Sequence, residues 1–398
     1  MTEPPRDASS SRDPASLVVG ATAAQVIGGL VAQMSPIMIA GLMGGLSLAE
    51  RDAGFVVSVE LLTLAITAIA IAPVLPRFSD RRVALVAVVL ALVAQGASIF
   101  SVSLPLLTLV RGLAGIGEGA LYAMSLSVVA FRSSNPDKVY GYFQIAWALG
   151  SAPLFAFGGQ LTAAFAQRGI FALMAGVTLA LAPLLLLIPD ARAKGGEGAA
   201  AHAAPTSLTL GVMTLTATAL YLIVSAAIYA FSAPLGERAG LDTSAVGYAL
   251  TVATLVGLAG AGAATAINVR WGRTIPISGF FVSFALVVLV LCLSRNPTAY
   301  VIALVASAVV FFFSMPYLFG LAAALDRSGR WAAATGSAYL LGFAGGPWFA
   351  GVVIGAAGYT GFAVASLAIT AAAWGLTMIV SRRLSGTARA ALPGDPAA

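Results

Sequence analysis

"LVRGLAGIGEGALYAMS", residues 109–125, carries Arg111 and Glu118 through a run that is otherwise mostly glycine and apolar side chains. A charge at the centre of a membrane helix costs about 2.5–3.5 kcal/mol on insertion scales, so those that persist face protein or water. Whether this run crosses a membrane therefore decides the fold. Outward from it, apolar runs long enough to cross the roughly 30 Å hydrocarbon core as a helix recur along nearly the whole chain. Of the 398 residues, 60% are hydrophobic and 9% charged, against about 25% charged in a soluble domain. The short alternating segments of a membrane barrel are absent. The chain reads as an all-α integral membrane protein.

The apolar pattern predicts twelve spans, near 17–46, 53–75, 83–102, 104–131, 139–163, 169–189, 208–232, 244–268, 275–294, 298–325, 331–356 and 359–381. The polar, proline- and serine-rich start lacks the basic head of a signal peptide and reads as a disordered tail over 1–16. "DARAKGGEGAAAHAAPTS", 190–207, reads as a flexible cytoplasmic linker that divides the spans six and six. This gives an N-terminal bundle over 17–189, a C-terminal bundle over 208–382 and a disordered tail over 383–398.

The basic residues set the topology. With both termini cytoplasmic, the inner segments hold sixteen Lys and Arg residues and the outer loops only Arg51, Arg168, Arg238 and Arg295. That bias satisfies the positive-inside rule and suits a bacterial-type inner membrane. The net charge of +6 is spread over many segments, which argues against nucleic acid. The single cysteine, Cys292, excludes a disulfide, and the single histidine, His202, lies in the linker, so no buried histidine relay is available. No metal cluster, cofactor motif or Walker A loop occurs, so the chain reads as neither an enzyme nor an ATP-driven pump.

The two halves repeat weakly. "AGFVVSVELL" at 53–62 aligns with "VGYALTVATL" at 246–255, matching Gly54 to Gly247 and Ser58 to Thr251. "LGSAPLFAFGG" at 149–159 echoes "LGFAGGPWFAG" at 341–351. Repeated halves are a transporter signature, with the substrate site at their interface.

Three motifs then carry a resemblance to the major facilitator superfamily over essentially the whole chain. "PRFSDRRVAL" at 76–85 matches Asp80, Arg81 and Arg82 of that family's loop between spans two and three, without its glycines, and "VRWGRTIPI" at 269–277 is its second-half counterpart. "RGLAGIG" at 111–117 matches the Arg-x-x-x-Gly-x-Gly of span four, and "GSAPLFAFGG" at 150–159 partly matches the span-five motif of proton-driven drug exporters. The resemblance implies twelve transmembrane helices in two pseudo-symmetric six-helix bundles, which rock around a cavity lined by spans one, four, seven and ten. Within the superfamily it leans to the sugar-efflux-like and drug–proton antiporter groups. It also implies that Asp80, Arg81 and Arg82 latch one conformation by bridging to helix ends.

Only three charged residues fall inside spans: Glu60, Arg111 and Glu118. Glu60 and Arg111 lie at about 12 and 10 Å from the outer face at helical rise, so they form an expected ion pair, either structural or tied to proton release. Glu118 sits near the middle of span four, about 21 Å from each end, with no basic residue at its depth. Burial without a charged partner favours a neutral carboxyl, which suits a proton carrier. Arg111, Gly115, Glu118, Tyr122 and Ser125 step by four and three along one helix face, expected to face the cavity. Gln25 and Gln33 on span one, Gln144 and Trp147 on span five, Tyr221, Ser225 and Tyr229 on span seven, and Tyr317 on span ten complete the expected substrate cavity.

Amide, hydroxyl and aromatic lining with one arginine already partnered favours a neutral, weakly acidic or cationic organic molecule. The expectation is a monomeric, proton-coupled secondary active transporter in the lipid bilayer, working by alternating access on a small-molecule substrate. The alternatives are an importer of an organic acid or nutrient, by proton symport or as a facilitator, and a non-transporting sensor with the same fold.

Overall fold

The computed structural model describes residues 14–189, 208–267, 270, 272–325 and 330–390. Ten helices are long and apolar enough to cross a membrane, and the protein is a multi-pass membrane protein. The first half holds α1 (Ala15–Leu46), α2 (Glu50–Ile71), α3 (Asp80–Phe100), α4 (Leu104–Arg132) and α5 (Pro136–Leu181). The second holds α6 (Leu208–Ala230), the short α7 (Ser232–Arg238), α8 (Thr243–Ile267), α9 (Thr274–Leu293), α10 (Pro297–Ala323) and α11 (Arg330–Ala390).

Two of the long helices are each broken once. Ala166 interrupts α5 at φ 49°, ψ −134° and Gly358 interrupts α11 at φ 66°, ψ −175°. Each of these two helices is thus two limbs joined at a break, so the ten long helices comprise twelve limbs. The breaks fall at the short gaps that separate spans five from six and eleven from twelve in the sequence pattern. Glycine tolerates the positive φ at 358, whereas Ala166 adopts it against its Cβ.

Local sequence explains some of the helix starts. Asn135–Pro136 and Asn296–Pro297 open α5 and α10 in the same way: the Asn side chain accepts from the N–H of Lys138 (3.2 Å) or Ala299 (3.0 Å), and proline takes the first helical position. Pro316 lies inside α10 without ending it. Three expected limits shift. Ala15 and Ser16, expected in the tail, already belong to α1; residues 383–390, expected in the C-terminal tail, continue α11; and α7 extends past the predicted end of span seven at 232. The rest of the tails and the linker at 190–207 lie outside the described residues.

Within the first half α4 packs on α2 and α3, and α1 on α5; within the second α8 packs on α10, and α6 on α11. The halves meet most extensively at two places, α2 against α11 and α5 against α8, and α1 adds smaller contacts with α6, α7 and α8. Both meetings need glycine. A Cβ at Gly54 would stand 3.0 Å from the Pro347 carbonyl carbon and 3.5 Å from Gly351 Cα; a Cβ at Gly247 would stand 2.5 Å from the Phe155 oxygen and 3.2 Å from Gly159 Cα. Beside the first, the Ser58 hydroxyl accepts from the Trp348 backbone N–H at 2.8 Å; beside the second, the Thr251 hydroxyl donates to the Ala152 carbonyl at 3.0 Å. Gly54 and Ser58 are the positions that align with Gly247 and Thr251 in the sequence repeat, and Gly159 aligns with Gly351. One seam is therefore built twice, by related sequence, on the membrane face where α2 and α8 begin.

Candidate functional site

The buried charge lies inside the first half. Arg111 and Glu60 are fully buried, and the Arg111 guanidinium grips the Glu60 carboxylate with two N–H groups, one of them Nε at 2.8 Å from Oε2. A third N–H reaches the Ser98 hydroxyl on α3 at 3.3 Å, and the guanidinium carbon stands 4.9 Å above the Phe171 ring of the second limb of α5. Three neighbouring helices thus hold the one arginine of α4, and its charge is committed.

Glu118 is fully buried two helical turns further along α4. Its Oε1 accepts from the Gln95 amide of α3 at 3.0 Å. Its Oε2 and the Gln95 Oε1 have no hydrogen-bond partner among the described residues. A carboxylate has only acceptors here, and the amide oxygen is an acceptor too. A proton on the carboxyl would add the one donor that the pair lacks.

The predicted stripe on α4 therefore does not line one surface. The glycines set this. A Cβ at Gly115 would run into the Glu60 carbonyl of α2, one at Gly119 into Leu64 of α2, and one at Gly117 would stand 2.6 Å from the Ala87 carbonyl of α3. With α2 and α3 drawn this close, Arg111 and Glu118 point into the bundle. Only Tyr122 and Ser125 turn toward α1, where the Ser125 hydroxyl donates to Gln25 Oε1 at 2.5 Å.

Nearer the junction of the halves, Gln33 of α1 binds α5, donating to the Ser151 hydroxyl and to the Trp147 carbonyl at 3.3 Å. Its own backbone carbonyl accepts from the Tyr229 hydroxyl of α6 at 2.7 Å, so the expected cavity residues Gln33, Trp147 and Tyr229 do meet across the two halves. The Trp147 ring fills the space that Gly29 leaves. Tyr229 begins an aromatic run, with ring centroids 6.4 Å to Phe343, then 6.1 Å to Tyr339 and 6.4 Å to Phe319. Leu340, between two of these rings, packs on the apolar cluster of the first half.

Other expected cavity residues lie elsewhere. Tyr221 is fully buried within the second half, its hydroxyl accepting from Ser314 at 2.9 Å and its ring set among Phe280, Phe281 and Phe284. Ser225 is buried with no hydrogen-bond partner for its hydroxyl among the described residues. Tyr317 is buried beside the Phe313 ring at 5.2 Å, and Gln144 is exposed on α5.

At the first position of α3, Asp80 accepts from Arg132 Nε at 2.8 Å and Nη2 at 2.6 Å, tying the start of α3 to the end of α4. Arg81 donates to the Ile188 carbonyl at 2.8 Å, while the Arg82 side chain is exposed. Asp80 and Arg81 thus tie ends within one half.

Sequence reasoning did not reach Gln95, Arg132 or the Tyr339–Phe343 pair. A lone amide three residues before Ser98 in an otherwise apolar span was the available sign for Gln95. For Tyr339 and Phe343 it was the spacing of four beside a glycine-rich seam.

A family model described as Major Facilitator Superfamily matches residues 21–350. Among solved structures, the chain is similar to a bacterial homologue of the human lysosomal transporter Spinster in an inward-facing, unoccupied conformation. That match has TM-score 0.70 and 14% identity, over 96% of this chain and 98% of that one. The occupied form of the same protein gives TM-score 0.67 at 14% identity over the same shares. A variant of the nucleoside transporter NupG gives TM-score 0.67 at 11% identity, over 93% of this chain and 98% of that one. Among the curated proteins none matches in sequence.

Proposed function

The chain belongs to the Major Facilitator Superfamily, and from that premise we propose a proton-coupled secondary transporter of a small organic molecule in a bacterial-type inner membrane, both termini cytoplasmic. The observation that carries the reading is the Glu118–Gln95 pair: a buried carboxyl that has an amide for a partner, beside an arginine already held by Glu60. Glu118 takes up a proton in one conformation and releases it in the other, when rearrangement of α3 and α4 exposes it to the opposite side. The Glu60–Arg111 pair anchors α2 to α4 and, with its two charges matched, leaves Glu118 as the carboxyl of α4 that an amide alone partners.

The doubled glycine seam supports alternating access. It closes the face where α2 and α8 begin. Rocking the halves would part Gly54 from Gly351 and Gly159 from Gly247. The substrate sits between the Gln25, Tyr122, Ser125, Gln33 and Trp147 wall of the first half and the Tyr229, Phe343 and Tyr339 wall of the second. One wall offers hydrogen bonds and the other aromatic faces, and neither offers a free cation. That pairing selects a neutral, weakly acidic or cationic molecule with an apolar or ring portion over a multiply charged anion.

The test uses everted membrane vesicles acidified by respiration and a panel of neutral, weakly acidic and cationic compounds. Collapse of the pH gradient by one compound class, in vesicles holding the protein and not in vesicles lacking it, is the expected result. No collapse, together with no compound-driven alkalinisation in right-side-out vesicles, would end the proton-coupled reading.

A further inference from the structure

A cavity lies within the second half, away from the junction of the halves. Helices α8 and α10 touch through glycine. A Cβ at Gly257 would stand 2.9 Å from the Phe312 ring, and one at Gly260 would stand 3.1 Å from the Phe313 nitrogen. Beyond that contact α8 runs on to Ile267 and α9 begins at Thr274, both beside α10. A cavity of about 340 Å³ opens there, lined by Ile267 of α8, Ile275, Pro276 and Gly279 of α9, and Val309 and Phe313 of α10. That volume is at the small end of ligand pockets. Ser283 is the one polar side chain on its wall. Its middle is open: a Cβ at Gly279 would meet nothing within 4 Å.

What borders the cavity differs sharply from what lines it. Arg270 and Arg273 stand in the sequence between Ile267 and Ile275, both of which line the cavity. Arg270 is exposed and Arg273 half-buried, and neither has a hydrogen bond or ion pair with another described residue. The sequence contains no Asp or Glu between Asp242 and Asp326, so no acid on α8, α9 or α10 offsets these two charges. An apolar slot bordered by two arginines that have no hydrogen bond or ion pair with another described residue is complementary to an amphiphile with one negative charge.

We propose that this fissure holds one anionic glycerophospholipid of the adjacent leaflet. One acyl chain lies along Gly279 between α8 and α9, and the phosphodiester is held by Arg270 and Arg273. The site is independent of the proton-coupling reading, since it shares no residue with Glu118, Glu60 or Arg111.

The test titrates the purified full chain with phosphatidylglycerol and with phosphatidylcholine of identical acyl chains and counts bound lipid by native mass spectrometry. Wild type should take up one phosphatidylglycerol at least tenfold more tightly than phosphatidylcholine. Gly279→Leu fills open space and should weaken the binding of phosphatidylglycerol at least tenfold. The double variant Arg270→Gln, Arg273→Gln should abolish the preference. Binding of phosphatidylglycerol that is equal in all three proteins overturns the proposal. So does an absent headgroup preference in wild type. A measurement on wild type alone guards against variants that fail to fold: phosphatidylglycerol with a photoreactive group on its acyl chain should label peptides within 267–283 and 309–313. Labelling spread evenly over all lipid-facing helices would refute the site.

Discussion

Replacing Gly54 and Gly247 by alanine perturbs the two most extensive contacts that join the halves, and the structure fixes the sign of the effect. At both positions the new methyl meets backbone rather than a flexible side-chain end: the Pro347 carbonyl in one case, the Phe155 carbonyl at 2.5 Å in the other. Backbone of packed helices cannot swing aside, so the helices must separate. Overpacking of this kind costs typically about 1–3 kcal/mol per site. The two sites share no partner, so their effects should add, to roughly 2–6 kcal/mol. The strain exists only while the seam is closed, so each single substitution should shift the closed-to-open ratio by about fivefold to 150-fold. Spin labels at Val102 and Arg295 report the opening. Both lie in exposed connections on the seam face, and the buried native Cys292 is first replaced by serine. Double electron–electron resonance should show a longer distance population that grows from single to double variant. Gly262→Ala, where a Cβ meets nothing within 4 Å, should leave the distribution unchanged. Distances that stay put in the double variant would refute the claim that this seam is the gate.

The buried ion pair and the strained break give two further predictions. Glu60→Gln or Arg111→Gln alone leaves an uncompensated buried charge and should lower stability by about 3–5 kcal/mol, read as a fall in melting temperature in detergent. The double variant should recover much of that loss, and a double variant as unstable as the sum of the singles would contradict the pairing. Ala166 holds φ 49° without being glycine, so Ala166→Gly should stabilise the protein, by about 1 kcal/mol from relieved strain. A lower melting temperature in that variant would show that the backbone at the α5 break is not strained.

The sequence made the Glu60–Arg111 pair legible because depth along a helix is a matter of rise per residue, and two opposite charges at one depth have few other partners. The repeat of Gly54 with Gly247 was legible for a related reason. Close backbone approach excludes a Cβ, and that demand is written directly in residue type. The direction in which α4 points was not legible. In a soluble helix polarity separates inside from outside, but lipid and bundle interior are both apolar, so a polar stripe can face a cavity or a neighbouring helix equally well. The glycines at 115, 117 and 119 decide it by admitting α2 and α3 at close range, and that depends on partners far away in sequence. Tyr221 shows the same limit. It has the hydroxyl and the spacing of a cavity residue, yet three phenylalanines of α9, brought up only by the fold, enclose it.

The most direct test of proton coupling at Glu118 compares wild type with Glu118→Gln in proteoliposomes, using whichever compound collapses the gradient in vesicles. Two rates are read on the same preparation: accumulation driven by an imposed pH gradient, and gradient-free exchange of labelled for unlabelled compound. Glutamine preserves the size and the hydrogen bond to Gln95 but cannot release a proton. With Glu118 as the proton carrier, driven accumulation is lost in the variant while exchange persists. Driven accumulation at the wild-type rate in Glu118→Gln would contradict that role and leave Glu118 a structural partner of Gln95.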